Sequence, residues 1–165
     1  MLVIGIDPGT AITGYGIVRE NGDGSLSLVK YGVLRTSSQT PMPERLHALS
    51  IQLEQILSRE GPQAAAVEIL FFQRNVRTAM AVGQSRGVVL NCLAACGISV
   101  SEYTPLEIKQ AVTGFGQATK SQVQEMVRVL LQLASAPRPD DAADALAAAI
   151  CHIHSYRLKE MLEKG

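Results

Sequence analysis

The chain predicts an α/β fold, a mixed five-stranded sheet flanked by helices, and three observations predict it. Its first 35 residues hold three extended apolar runs broken by turn residues. Its middle alternates helical with extended patterning, and its last third carries two helix-start signatures in succession.

Leu2–Ile6, Gly14–Arg19 and Ser25–Leu34 read as strands, with Asn21-Gly22-Asp23-Gly24 as the hairpin turn between the second and third. A polar loop, Thr36–Pro43, leads into a helix from Glu44 to Arg59, where Leu46, Leu49, Leu53, Ile56 and Leu57 recur at helical spacing. Ala64–Glu68 is the fourth strand, Asn75–Cys96 a long helix and Ile98–Tyr103 the fifth strand. Thr104-Pro105-Leu106-Glu107 is a capping box with proline at the first helical position, and Thr119-Lys120-Ser121-Gln122 is a second box. A final helix runs from Asp141 to Tyr156 and leaves residues 157–165 as a C-terminal tail.

With 165 residues, 47% of them hydrophobic and 18% charged, the chain fits one domain with a sizeable core. The longest stretch free of charged residues, Gly87 to Ser101, is too short and too polar to span a bilayer, so no membrane partner is expected. Asp7-Pro8-Gly9 interrupts the first apolar run and argues against a signal peptide. Cys92, Cys96 and Cys151 lack metal-ligand spacing and read as reduced core thiols, which suits a cytoplasmic protein. The net charge of zero counts against a nucleic-acid partner. Between Phe71 and Pro139, however, seven basic residues face three acidic ones, so the overall balance conceals a basic middle region.

The acidic residues carry the chemistry. Asp7 ends the first apolar run, Glu68 ends the run Ala64–Val67, and Asp141 and Asp144 stand three apart and so share a helix face. Each has a bland reading: Asp7 as a turn stabiliser, Glu68 as an ion-pair partner, Asp140, Asp141 and Asp144 as favourable charges at a helix N-terminus. Together they are harder to dismiss, because converging carboxylates repel unless a cation compensates them, and hard divalent ions take oxygen ligands. Four carboxylates could hold two Mg²⁺ or Mn²⁺ ions roughly 3.5–4 Å apart for in-line hydrolysis of a phosphodiester. By spacing alone, Asp140 and Asp141 are not distinguished. Small neighbours Ala142, Ala143 and Ala145 permit close approach of their helix to the sheet.

The segments IGIDPGTAITGYGIV, AVEILFF, VGQSRGVV, EIKQAVTGFGQATKSQVQEMV and DAADALAAAICH together resemble the RuvC family of Holliday-junction resolvases, over about Val3 to His154. The resemblance implies an RNase H-like fold, a homodimer and Mg²⁺- or Mn²⁺-dependent nicking of opposing strands of a four-way DNA junction. It also implies a RuvA–RuvB branch-migration complex as partner. It places the metal-binding carboxylates on Asp7, Glu68, Asp141 and Asp144, leaving Asp140 as a helix cap. It places functional lysines on Lys109 and Lys120, and a DNA-contacting aromatic on Phe71. Ile69 departs from the glutamine often found after the family's glutamate.

Lys120 has support of its own, since a cation in the first turn of a helix opposes the dipole and a bound phosphate would relieve that conflict; the bland alternative is a solvated lysine. Lys109, mid-helix, would pass for a surface charge without the resemblance. Phe71 is expected outside, able to stack on bases beside Arg74, and Phe72 inside. Gly83 and Gly87, with Ala79, Asn91 and Ala94, form a small-residue stripe, and the resemblance places their helix at a dimer interface. His152 is read first as a satisfied helix histidine and second as a neighbour of the site; a role for Arg77 is left open. The rival readings are an ATP-binding domain like that of sugar kinases, from Ile6-Asp7-Pro8-Gly9-Thr10, a junction-binding module without catalysis, and an RNase H-like nuclease acting on another branched or hybrid substrate.

Overall fold

The computed structural model describes residues 1–69 and 76–164, the side chains of 76–78, 160, 163 and 164 excepted. Strands β1 (Leu2–Asp7), β2 (Ile12–Glu20) and β3 (Leu26–Arg35) form an antiparallel meander. Helix α1 (Met42–Glu60) precedes β4 (Ala64–Glu68), and α2 (Val76–Ala95) precedes β5 (Ser99–Tyr103). Both strands join in parallel, so the mixed sheet has the order β3-β2-β1-β4-β5. Helices α3 (Pro105–Thr113), α4 (Lys120–Leu130) and α5 (Asp140–Lys164) complete the chain.

Strand alternation divides the core in two. Ile4, Ile6, Ile17, Ala65 and Val67 pack under α1 and α2 through Leu49, Leu53, Leu57, Val89 and Leu93. Val3, Val18, Ala64 and Ala66 pack under the other three helices through Ile108, Val123, Val127, Leu146 and Ile150. Both capping boxes are formed, with Thr104 and Thr119 accepting from the amides of Glu107 and Gln122.

Two expectations are corrected. The last helix does not end at Tyr156 but continues to Lys164, because Leu158, Lys159, Met161 and Leu162 are strong helix formers and no glycine intervenes before Gly165. Arg157, read as tail, makes an ion pair with Glu20 and donates to the Gly24 carbonyl at 2.6 Å, tying the helix to the β2–β3 hairpin. Nor is Cys96 a core thiol. Helix α2 stops at Ala95 and the backbone turns left-handed at Gly97 (φ 69°), which leaves Cys96 exposed while Cys92 and Cys151 are buried. Among the described residues no helix is long and apolar enough to cross a membrane.

Candidate active site

Ile6 lies opposite Val67 in the parallel β1–β4 ladder, so Asp7 and Glu68 close two adjacent strands at the same edge. By alternation both belong to the face that carries α5. The cross-strand partners of Gly5 and Asp7 are Gly16 and Gly14. These glycines set the depth of the helix. A Cβ on Gly5 would overlap the Ala145 carbonyl, one on Gly14 would overlap the Asp141 carbonyl, and one on Gly16 would lie 2.6 Å from Leu146 Cγ. The α5 backbone therefore rests almost directly on the β1–β2 backbone, delivering Asp141 and Asp144 beside the tips of β1 and β4.

The electrostatics show the convergence. Burial, and then the charges of Glu68, Asp144 and Asp141, push the Asp7 carboxyl from its ordinary 3.8 up to about 7. Glu68 is raised by burial and by Asp144, against the pull of Lys120 and Lys109. Asp144 is also raised, because burial outweighs its hydrogen bond to Lys120. Among the described residues no three acidic, histidine or cysteine side chains close on one point at metal-binding distances. The donor set nonetheless fits hard cations: every acid is an oxygen donor, and the excess negative charge around Asp7 is what a divalent ion would relieve.

Glu68, Lys109, Lys120 and Asp144 line one cleft, floored by Ile108, Val123 and Ala147. Lys120 is not the freely solvated lysine of the bland reading. Its Nζ donates to Asp144 Oδ2 at 2.8 Å and lies 3.5 Å from Asp140 Oδ2. Burial, the largest influence, pulls the Lys120 pKa down, but the bond to Asp144 and the charges of both aspartates leave it raised. Lys109, unremarkable by its sequence position, is half-buried in the cleft wall. Asp140 is engaged by Gln124 and Arg138 as well as Lys120.

Phe71, Phe72 and Arg74, expected to bear on the site, lie outside the described residues, as does the Arg77 side chain. His152 is buried and satisfied, with Nδ1 2.9 Å from the Tyr103 hydroxyl. Its environment holds its pKa down, chiefly through burial. Phe115, in the Gly114-Phe115-Gly116 turn between α3 and α4, is 58% exposed. Its signal was that a phenylalanine beside the left-handed Gly114 cap (φ 76°) has no strand or helix to bury it.

The family model for the crossover junction endodeoxyribonuclease RuvC matches residues 3–152, nearly the whole chain. The chain belongs to the RuvC family. As a RuvC-family member it is a crossover junction endodeoxyribonuclease with an RNase H-like fold. The RuvC of Syntrophomonas wolfei is 54% identical over 165 residues, covering all of this chain and 95% of that one. The RuvC of Chloroflexus aurantiacus is 57% identical, covering 94% of each. The Thermus thermophilus RuvC structure superimposes with a TM-score of 0.90 at 40% identity, over 96% of this chain and 97% of that one. The same protein in complex with Holliday junction substrate gives 0.88 at 38%, over 96% of each. Membership of the RuvC family also removes the sugar-kinase reading.

Proposed function

We propose that this chain resolves four-way DNA junctions by metal-assisted phosphodiester hydrolysis at the cleft between β4, α3, α4 and α5, cutting two opposing strands symmetrically. The observation that supports the reading is geometric: β1 and β4 end side by side at Asp7 and Glu68, and α5 rests on Gly5 and Gly14 with Asp141 and Asp144 in its first two turns. These four carboxylates are the residues that would hold two Mg²⁺ or Mn²⁺ ions. Bound there, such ions would supply an activated water for in-line attack and charge stabilisation of the departing oxygen.

The protein's own part is to position. Asp7 and Glu68 are fixed by paired strands, and Asp141 and Asp144 by a helix seated on glycines. Lys120, once released from Asp144, would meet the scissile phosphate, and Lys109, which lines the same cleft, would add positive charge there. Phe71 and Arg74 are the residues proposed to engage junction DNA. One chain holds one acidic site, so paired nicks require a homodimer. In support, α2 presents Gly83, Gly87, Asn91 and Ala94 on one exposed face, and a Cβ at either glycine would meet nothing within 4 Å. The proposed setting is cytoplasmic, with a RuvA–RuvB branch-migration complex as partner.

The test is cleavage of a synthetic mobile four-way junction beside linear duplex and RNA–DNA hybrid, with Mg²⁺, Mn²⁺ or EDTA. Symmetric, metal-dependent nicks confined to the junction are expected, lost in Asp7→Asn while junction binding persists. Cleavage of the hybrid instead would reassign the substrate, and binding without cleavage would leave only a recognition module.

A further inference from the structure

Gln124 is one of few buried polar side chains among the described residues, at 9% exposure, and nothing in the reaction uses it directly. It stands on α4 one turn after Lys120, so the two share a helix face. Its Nε2 donates to Asp140 Oδ1 at 3.1 Å, and Arg138 Nη1 donates to the same oxygen at 3.2 Å. Anchored through Oδ1, Asp140 turns its other oxygen, Oδ2, to within 3.5 Å of Lys120 Nζ. The ammonium thus lies between two carboxylates, bonded to Asp144 at 2.8 Å, with Asp140 within reach by side-chain motion alone.

For Asp144 to ligate a cation, its oxygens must be clear of Lys120. An ammonium with no second acceptor would hold on to Asp144 and compete with ligation. We infer that Asp140 is a positioning residue that receives Lys120 when Asp144 is taken up in ligation, keeping the ammonium at the cleft mouth. The inference rests on the reading of Asp144 as a metal ligand. The simpler account of Asp140, a negative charge favoured at the start of α5, explains neither its buried amide anchor nor the facing ammonium.

The experiment is Mn²⁺ binding to the full-length protein without DNA, followed by the loss of free-ion electron paramagnetic resonance signal, at fixed pH and ionic strength. Wild type, Asp140→Asn, Lys120→Met and the double variant form a cycle. Asp140→Asn is expected to weaken Mn²⁺ binding about three-fold where Lys120 is present, as suits a half-exposed pair, and clearly less in the Lys120→Met background. Gln124→Met, which alters no charge, is expected to weaken binding in the same Lys120-dependent way. Equal weakening by Asp140→Asn in both backgrounds, or no effect of Gln124→Met in folded protein, would reduce Asp140 to a distant charge and overturn the inference. Absence of Mn²⁺ binding by wild type would instead overturn the metal reading on which it rests.

Discussion

Lys120 Nζ lies 2.8 Å from Asp144 Oδ2, joining the first turn of α4 to the second turn of α5 across the cleft. The pair is not a stability element in the first place. The lysine side chain is 52% exposed, and such pairs contribute about 0–1 kcal/mol. Lys120→Ala should therefore unfold within about 1 kcal/mol of wild type in urea. If the ammonium meets the phosphate in the transition state, the cleavage rate should fall by about 100-fold or more. Junction cleavage under single-turnover conditions checks the rate; a near-normal rate would remove Lys120 from the chemistry.

The carboxylate cluster makes a signed prediction for pH. The folded-state pKa of Asp7 is raised from 3.8 to about 7, so the folded protein holds a proton that the unfolded chain releases. In EDTA, stability should fall as pH rises from 5 to 7 and level off above that range. The slope for one such group approaches about 1.4 kcal/mol per pH unit, and the raised Glu68 and Asp144 act in the same direction. Asp7→Asn should flatten the slope and stabilise the protein at pH 8. Urea midpoints at each pH decide it, and a rise in wild-type stability over the window would contradict the clustering.

Metal addition should reverse that trend. Ligation needs deprotonated carboxylates, so Mn²⁺ should raise the melting temperature more at pH 8 than at pH 6. Thermal unfolding at matched ion concentration is the measurement. A shift of equal size at both pH values would point to binding away from Asp7.

The seat of α5 is a separate test. Gly14→Ala places a methyl group against the Asp141 carbonyl, and backbone cannot yield as a side-chain tip can. Overpacking of this kind costs about 1–3 kcal/mol, with more expected here because α5 must lift. Cleavage should fall even where the protein remains folded, since Asp141 moves with its carbonyl. A folded, fully active Gly14→Ala would show that the helix tolerates displacement.

Arg157 offers a control remote from the site. Arg157→Ala removes the ion pair to Glu20 and the bond to the Gly24 carbonyl. A loss of about 1–2 kcal/mol in unfolding free energy is expected, with junction cleavage unchanged.

Local signals made much of the fold legible: apolar runs ending in Asp7 and Glu68, and two capping boxes that form as written. That Asp7 and Glu68 stand on neighbouring strand ends follows from the parallel β1–β4 pairing, which a long connection through α1 permits. The depth of α5 was harder to see. Its cause is split between Ala-rich DAADALAAA and glycines at 5, 14 and 16, over a hundred residues away, and only cross-strand register brings them together. The Asp144–Lys120–Asp140 contact is likewise tertiary, spanning α4 and α5. The end of α5 was misplaced because Tyr156-Arg157 marks no stop; the helix simply lacks a breaker until Gly165.

The way α5 sits has a consequence for how the two kinds of charge behave. Its buried face is mostly methyl groups and main chain, with few torsions free to adjust, so the acids have a fixed address. The ammonium groups of Lys109 and Lys120 end four-carbon stems on separate helices and can swing. On the proposed reading, a nucleic acid entering this cleft would bring its phosphate to the acids, while the lysines would travel to the phosphate. Tolerance for irregular geometry in the substrate would then reside in the cations, and accuracy of the cut in the anions.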